Sequence, residues 1–126
     1  MENRLLIVDD ELSTRRLLAY LLEPHYEVFC VKDGQEAKAW LDEGNTVNLI
    51  ITDIQMPVMD GLELIELLNK DKKYSRIPVV VVSSQTKEYI NGRLQKPLTH
   101  ALLNKPIEPK ALFWRIEQLL ARTVRL

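Results

Sequence analysis

The sequence has little of several features that would point to specialised classes of protein. One cysteine among 126 residues rules out an internal disulfide. A formal net charge of −1 gives no electrostatic reason to expect nucleic acid or a membrane surface as a partner. The first apolar run, residues 5–8, is far shorter than a signal-peptide core or a membrane span. We therefore expect a cytoplasmic protein with no membrane partner and no direct nucleic-acid partner.

What remains is the composition of an ordinary globular protein, with 46% hydrophobic and 28% charged residues. We expect one domain, residues 1–126, because a chain of this length buries roughly two-thirds of its unfolded surface. Such a core needs no disulfide to hold it together. The single cysteine, Cys30, follows the segment Tyr26–Phe29, and we expect it to be a buried free thiol.

Short β-branched runs alternate with longer segments of helical period along the chain. This alternation is typical of repeated βαβ units around a parallel sheet. We predict strands near residues 4–9, 26–31, 48–53, 78–83 and 100–104. The runs Leu49–Ile51 and Val79–Val82 are apolar without alternation, which is typical of central strands covered by helices on both faces.

Apolar residues between these strands recur at the spacing of a helix. Clear examples are Leu17, Leu18, Leu21 and Leu22 and, near the end of the chain, Leu112, Ile116 and Leu119. Two helices begin with Asp-x-x-Glu, at Asp33 and Asp60, where each aspartate can accept a hydrogen bond from a free backbone N–H. A helix over residues 87–95 is weak, because Gly92 costs about 1 kcal/mol relative to alanine in a helix interior.

Polar residues stand where four of the predicted strands end. They are Asp9, Asp10, Asp53, Ser83 and Lys105. In an open parallel sheet, ligands bind outside the carboxyl ends of the strands, so we expect these side chains to form one site. Three crowded carboxylates repel one another unless a cation is present, and Mg²⁺ suits hard oxygen ligands beside a phosphate. The sequence therefore predicts a site for Mg²⁺ and a phosphoryl group.

Taken singly, each of these motifs has an ordinary structural interpretation. The pair Asp9-Asp10 could cap the next helix. Ser83 could simply end a strand, and Lys105-Pro106 could be a turn. Their joint placement favours chemistry instead. With a metal ion to shield it, Asp53 could attack a phosphorus atom in line, and Lys105 and Ser83 could bind the oxygens of the resulting acyl phosphate.

Four segments resemble the receiver domain of two-component response regulators, in the same order and spacing along nearly the whole chain. They are Leu6–Glu11, Asp53–Gly61, Ile77–Ser83 and Lys105–Pro109. The stretch Asp-x-x-Met-Pro-x-Met-Asp-Gly, which begins at Asp53, is highly specific. The resemblance implies an α/β, flavodoxin-like doubly wound fold, with five helices around a five-stranded parallel sheet in the order 2-1-3-4-5.

Carried over by position, the resemblance makes Asp53 the phosphoacceptor, and Lys105 and Ser83 the pair that senses the phosphoryl group. It also implies a cis peptide bond between Lys105 and Pro106. The implied Mg²⁺ ligands are Asp9, Asp10, Asp53 and the backbone carbonyl of Gln55.

The resemblance further implies a signalling switch that catalyses only its own phosphorylation and dephosphorylation. Its partners would be a sensor histidine kinase or histidine phosphotransfer protein, and a downstream protein or fused output domain. Phosphorylation could also drive dimerisation. Gln55 and Gln85, which flank the line of attack, would tune how long the phosphoryl group survives. A stand-alone receiver and a piece of a longer regulator fit the sequence equally well.

One position departs from the family pattern and keeps alternative functions open. Receivers commonly carry Tyr or Phe three residues before the lysine, and here that residue is Leu102, which has no ring to swing between buried and exposed positions. A protein-docking module that works without phosphorylation is therefore an alternative. A Mg²⁺-dependent phosphatase of the haloacid-dehalogenase type is another, but it would need an aspartate where this chain has Gln55.

Overall fold

Strands and helices alternate through the described part of the chain. The computed structural model describes residues 3–94 and 101–124. The strands are β1 (Arg4–Val8), β2 (Glu27–Val31), β3 (Leu49–Asp53), β4 (Val79–Ser83) and β5 (Ala101–Asn104). The helices are α1 (Leu12–Leu22), α2 (Gly34–Asp42), α3 (Gly61–Asn69), α4 (Lys87–Arg93) and α5 (Pro109–Val124). The predicted strands are confirmed to within one residue; the predicted start of β5 at His100 and end of α4 at Gln95 lie outside the described residues.

The strands form one parallel sheet in the order β2-β1-β3-β4-β5. In its ladders Asp53 lies opposite Val82, and Ser83 lies opposite Asn104. β3 and β4 are buried along their whole length, because each has a strand on both sides and helices on both faces. The predicted α/β, flavodoxin-like doubly wound fold is confirmed.

Helices cover both faces of the sheet, and each face has its own hydrophobic core. On one face, α2, α3 and α4 contribute Ala37, Leu41, Leu62, Leu64, Leu68 and Ile90. On the other face, α1 and α5 contribute Leu18, Leu22, Leu112, Ile116 and Leu119. Successive residues of a strand point to opposite faces, so the central strands supply apolar side chains to both cores. This double burial explains why their sequences are continuously apolar.

One prediction about burial is wrong, and one predicted leucine stripe is only partly buried. Cys30 is exposed, because β2 is an edge strand with a neighbouring strand on one side only. Leu17 is 51% exposed, whereas Leu18 and Leu22 in the same predicted stripe are buried. Leu17 lies about 100° around the helix from Leu18, so the face of α1 that is buried against the sheet is narrower than the four-leucine stripe.

The two predicted Asp-x-x-Glu motifs cap their helices. The Asp33 carboxylate accepts a hydrogen bond from Glu36 N–H at 2.8 Å, and Asp60 accepts one from Glu63 N–H at 2.9 Å. At α3 the Glu63 carboxylate also accepts from Asp60 N–H, which completes a capping box. At α2 the Glu36 carboxylate accepts instead from Lys32 N–H. These bonds fix the starts of both helices at the edge where the strands end.

The loop between β3 and α3 packs closely against the end of β3. A Cβ atom at Gly61 would collide with the backbone carbonyl of Asp53, so this position requires glycine. In the same loop, Met59 N–H donates to the Pro57 carbonyl at 2.8 Å, and the intervening Val58 has a φ of 69°. This is a γ-turn, and a positive φ is strained for a β-branched residue. Val58 is also 74% exposed, so packing contributes little to offset the strain.

The described helices are of moderate length. α5 spans 16 residues, and crossing a bilayer takes about 20 mostly apolar ones. Within residues 3–94 and 101–124, no helix has both the length and the apolar character of a membrane span.

Replacing Val58 by glycine or asparagine is expected to stabilise the fold by about 1 kcal/mol, because both residues tolerate a positive φ better than valine does. Urea unfolding measures the change in free energy. Val58→Ile keeps the β-branch and is the control, with an expected change within about 0.5 kcal/mol. Destabilisation by both the glycine and the asparagine variants would contradict the assignment of strain to Val58.

Candidate functional site

The side chains predicted to form a site stand at the edge of the sheet where the parallel strands end. Asp53 and Ser83 are the last residues of β3 and β4. Asp9 and Asp10 directly follow β1, and Lys105 directly follows β5. Because β1, β3, β4 and β5 lie side by side in that order, residues far apart in the sequence reach one edge.

Three carboxylates form the acidic part of this edge. Asp9, Asp10 and Asp53 each place one oxygen within 4.8 Å of the others. Asp9 and Asp53 are buried, whereas Asp10 is exposed. The Asp9 carboxylate accepts a hydrogen bond from Glu11 N–H at 2.9 Å, which holds it at the entrance to α1. The structure thus brings together the three carboxylates that the sequence placed after two different strands.

Lys105 supplies positive charge against this cluster. Its Nζ lies 3.1 Å from Asp53 Oδ2, and the two side chains are 29% and 9% exposed. The second oxygen, Asp53 Oδ1, accepts a hydrogen bond from Ile54 N–H at 2.7 Å. Both oxygens of Asp53 are therefore held in defined directions. The peptide bond between Lys105 and Pro106 is cis, as the resemblance implied.

Burial and neighbouring charges shift the pKa values of two of these groups. Burial raises the pKa of Asp9, and the charges of Asp53 and Asp10 raise it further. The Glu11 N–H bond and the Lys105 ammonium oppose this increase without cancelling it. Burial lowers the pKa of Lys105, but the hydrogen bond and attraction to Asp53 outweigh burial and leave that pKa raised. Lys105 therefore stays cationic at neutral pH, while a negative charge on Asp9 is disfavoured.

Ser83 lies next to the Asp53–Lys105 pair, at the end of the neighbouring strand. It is buried, and its Oγ accepts a hydrogen bond from Gln85 N–H at 2.9 Å. A hydroxyl that accepts in this way can still donate its hydrogen to a ligand. The Ser83 carbonyl accepts from Lys105 N–H at 3.0 Å, which joins the ends of β4 and β5.

The sequence matches one protein family along most of the chain. Residues 5–117 match the response regulator receiver domain, and the matched range contains every residue of the site. The chain belongs to the response regulator receiver family. It is thus a signalling domain of two-component systems.

Three known proteins illustrate the similarity. A chemotaxis protein CheY homolog of Campylobacter jejuni is 32% identical to the receiver over 116 residues, covering 83% of this chain and 89% of that protein. The cyclic di-GMP phosphodiesterase response regulator RpfG of Xanthomonas campestris is 32% identical over 119 residues, covering 92% of this chain but 31% of that protein. The crystal structure of a signal receiver domain of a Syntrophus aciditrophicus signal transduction histidine kinase has a TM-score of 0.89 at 27% identity, and covers 98% of this chain and 94% of that one. Similar domains therefore make up nearly all of some proteins and a small part of others.

Gln55 and Gln85 lie in the loops that follow β3 and β4 of the receiver. Gln55 is exposed and Gln85 is half-buried. The metal contact predicted for the Gln55 carbonyl and the tuning role predicted for both side chains stay predictions. An amide at Gln55 cannot serve as the general acid and base that a haloacid-dehalogenase-type phosphatase requires.

Two residues of the receiver's site region were not predicted from the sequence. Arg15 donates from Nη1 to the Asp9 carbonyl at 2.7 Å and ties α1 to the end of β1. Asn104 donates its side-chain amide to the backbone carbonyls of Ser83, at the end of β4, and of Gln85. The sequence signal for Asn104 was a polar residue directly before Lys105 at a strand end. Arg15 had no comparable signal, because a basic residue in an amphipathic helix is ordinary.

Asp9→Asn is expected to raise the Tm of the metal-free receiver at neutral pH. Asp9 is protonated more easily in the folded protein than in the unfolded chain, so its negative charge costs stability at neutral pH. The cost disappears as the pH falls through the raised folded pKa toward the ordinary value of 3.8. The Tm values of variant and wild type, measured in a metal chelator, should therefore differ most at neutral pH and converge toward about pH 4.

The matched control for Asp9→Asn is Glu43→Gln, which removes an exposed carboxylate outside the site. This control should leave the Tm close to that of the wild type at every pH. A lower Tm for Asp9→Asn at neutral pH would show that the Asp9 charge stabilises the metal-free fold, against our assignment.

Proposed function

We propose that this receiver, residues 1–126, accepts a phosphoryl group on Asp53 with Mg²⁺ bound beside it. The donor is a sensor histidine kinase or a histidine phosphotransfer protein. The modification changes the conformation of the domain and so its binding to a downstream protein, a fused output domain or a second copy of itself. The domain catalyses only its own phosphorylation and dephosphorylation.

The environment of the Asp53 carboxylate is the observation that carries the proposal. Asp53 is buried, faces Lys105 at 3.1 Å, and lies within 4.8 Å of oxygens of Asp9 and Asp10. A structural ion pair needs one carboxylate for one lysine. Three carboxylates beside one ammonium leave an excess of negative charge that folding does not require and that a further cation would offset.

The residues at this edge fit a magnesium ion. Mg²⁺ takes one or two carboxylates, keeps several waters and contacts phosphate oxygens. Asp9, Asp10 and Asp53 are close enough together to share one ion, and the exposure of Asp10 leaves a solvent side for water ligands. We include the backbone carbonyl of Gln55 as a further ligand. When bound, the ion would supply positive charge to the carboxylates and to an incoming phosphoryl group.

Asp53 is the nucleophile in the proposed reaction. One carboxylate oxygen attacks the phosphorus atom of a phosphohistidine, an O–P bond forms, and the P–N bond breaks. The imidazole nitrogen keeps the electron pair of the broken bond and takes a proton from solvent. Lys105 holds Asp53 in position before the attack through their 3.1 Å contact. Water can later hydrolyse the acyl phosphate, which ends the signal.

The phosphoryl group on Asp53 needs partners for its negatively charged oxygens. Lys105 can move its contact from the carboxylate to one phosphoryl oxygen, and the Ser83 hydroxyl can donate to another. Ser83 is within reach because Asp53 lies opposite Val82, the residue before it. Hydrogen bonds to charged groups contribute about 1.5–3 kcal/mol each. Two of them approach the roughly 5.5 kcal/mol needed to convert a mostly inactive population into a mostly active one.

Leu102 is the observation that favours the alternative function, a docking module independent of phosphorylation. It is half-buried and packs against the core beneath α2, α3 and α4. A leucine there cannot report the state of Ser83 by moving a ring between two positions. In the proposed switch, the conformational change at Ser83 must therefore reach α4 through other contacts between the end of β5 and α4.

Mg²⁺ is expected to raise the Tm of the wild-type receiver, because a ligand that binds the folded state stabilises it by mass action. Asp10→Asn should weaken the affinity, read from the dependence of Tm on Mg²⁺ concentration, by roughly tenfold or more. Glu11→Gln removes an adjacent exposed carboxylate outside the three-aspartate cluster and should bind Mg²⁺ much like the wild type. Equal affinities in the wild type and Asp10→Asn would place the ion elsewhere.

Incubation with Mg²⁺ and acetyl phosphate is expected to add one phosphoryl group to the wild-type chain, detected by intact-mass spectrometry. Asp53→Asn should gain none, because an amide does not form an acyl phosphate. Asp71→Asn removes a carboxylate remote from the strand ends of the site and should be labelled like the wild type.

Four observations, two from the labelling experiment and two from separate measurements, would count against the proposal. An unlabelled wild type, or equal labelling of wild type and Asp53→Asn, would contradict phosphorylation at Asp53. Equal partner affinity of the labelled receiver and Asp53→Asn would support the docking module instead. Repeated release of phosphate from a small phosphomonoester would support a phosphatase.

A further inference from the structure

Asn104 occupies a position where two parts of the site meet. It is the last residue of β5, directly precedes Lys105, and lies opposite Ser83 in the β4–β5 ladder. Its side chain is exposed, so the hydrophobic core does not account for the presence of an amide there. The contribution of the amide therefore lies in its hydrogen bonds.

The Asn104 amide reaches across to the segment that joins β4 to α4. Its Nδ2 lies 3.3 Å from the Gln85 carbonyl and 3.5 Å from the Ser83 carbonyl. Lys105 N–H donates to the same Ser83 carbonyl at 3.0 Å, and Gln85 N–H donates to Ser83 Oγ at 2.9 Å. One side chain thus bridges both ends of a short segment that carries the Ser83 hydroxyl and leads into α4.

We propose that Asn104 is a positioning residue that ties the β4–α4 segment to β5, so that Ser83 and Lys105 approach one phosphoryl group as a unit. This inference rests on the proposed function of Asp53. It adds a residue that touches neither the phosphoryl group nor the metal and acts through its two neighbours.

Two features of the receiver make such a tie useful. Leu102, on the same strand, offers neither a ring nor a hydroxyl to connect β5 with the segment before α4. α4 begins just after Gln85, at the Thr86 cap, whose side chain accepts from Tyr89 N–H at 3.1 Å. A displacement of Ser83 toward a phosphoryl group therefore pulls on Gln85, and through Gln85 on the first turn of α4. Asn104 makes the end of β5 part of that displacement.

The test uses BeF₃⁻ with Mg²⁺ as a phosphoryl mimic on the full chain. Asn104→Leu keeps the approximate shape of the side chain and removes its donor, whereas Asn104→Gln keeps a donor on a longer stem. Asn69→Leu makes the same chemical change on an exposed residue at the end of α3. Three quantities are measured for each protein: the Tm without ligands, the affinity for BeF₃⁻, and the amide NMR shifts of Ile54 and of residues 83–90.

Asn104→Leu is expected to bind BeF₃⁻ about three- to tenfold more weakly than the wild type, because the ligand must then order a β4–α4 segment that the amide no longer holds. This range corresponds to one or two neutral hydrogen bonds. Its ligand-free Tm should stay close to that of the wild type, because the amide is exposed. The ligand-induced shifts of residues 86–90 should shrink more than those of Ile54. Asn104→Gln should recover most of the affinity, and Asn69→Leu should match the wild type.

The inference is overturned if Asn104→Leu binds BeF₃⁻ as tightly as the wild type, or if Asn104→Gln is as weak as Asn104→Leu. It is also overturned if the ligand-free Tm falls in proportion to the affinity, since that pattern marks a purely structural role. A wild-type receiver that binds no BeF₃⁻ and gains no phosphoryl group would instead refute the proposed function itself. The two failures are therefore distinguishable.

Discussion

Negative charge concentrated where the parallel strands end is the constraint on which the rest of this receiver depends. Asp9, Asp10 and Asp53 share a space in which their oxygens lie within 4.8 Å, and the Lys105 ammonium offsets part of their repulsion. The offset is incomplete, since the pKa of Asp9 remains raised by burial and by its acidic neighbours. A bound cation would offset this excess of negative charge, and this is the physical basis for proposing Mg²⁺ and a phosphoryl group at the site.

The fold can hold such an unfavourable cluster because its stability comes from elsewhere. Two hydrophobic cores, one on each face of the sheet, bury the central strands and leave polar residues at their ends. Closely packed loops then fix those ends in place, as at Gly61, whose lack of a side chain lets α3 approach the Asp53 backbone. The γ-turn at Val58 places backbone strain in the same loop. Strained backbone conformations are commonly found close to functional sites.

Local pattern was enough to predict much of this architecture. The apolar runs predicted the strands to within one residue, and the Asp-x-x-Glu motifs predicted two helix caps, because both depend on near neighbours in the chain. The strand order came from family resemblance. The sequence was less informative where the burial of a side chain depends on segments distant in the sequence. Cys30 is exposed on an edge strand, and Leu17 lies outside the face of α1 that packs against the sheet. Asn104 and Arg15 were missed because each binds a backbone carbonyl of another segment.

The sequence by itself determined which chemical groups stand at the ends of the strands, since strand boundaries follow from local hydrophobicity and turn residues. It also identified Asp9, Asp10, Asp53, Ser83 and Lys105 as candidates, and their chemical roles stay predictions. Only the tertiary structure decided that Lys105 faces Asp53 at 3.1 Å and that an amide from β5 bridges the segment after β4. Those distances depend on how neighbouring strands align and how loops pack, which are long-range contacts that no local pattern specifies.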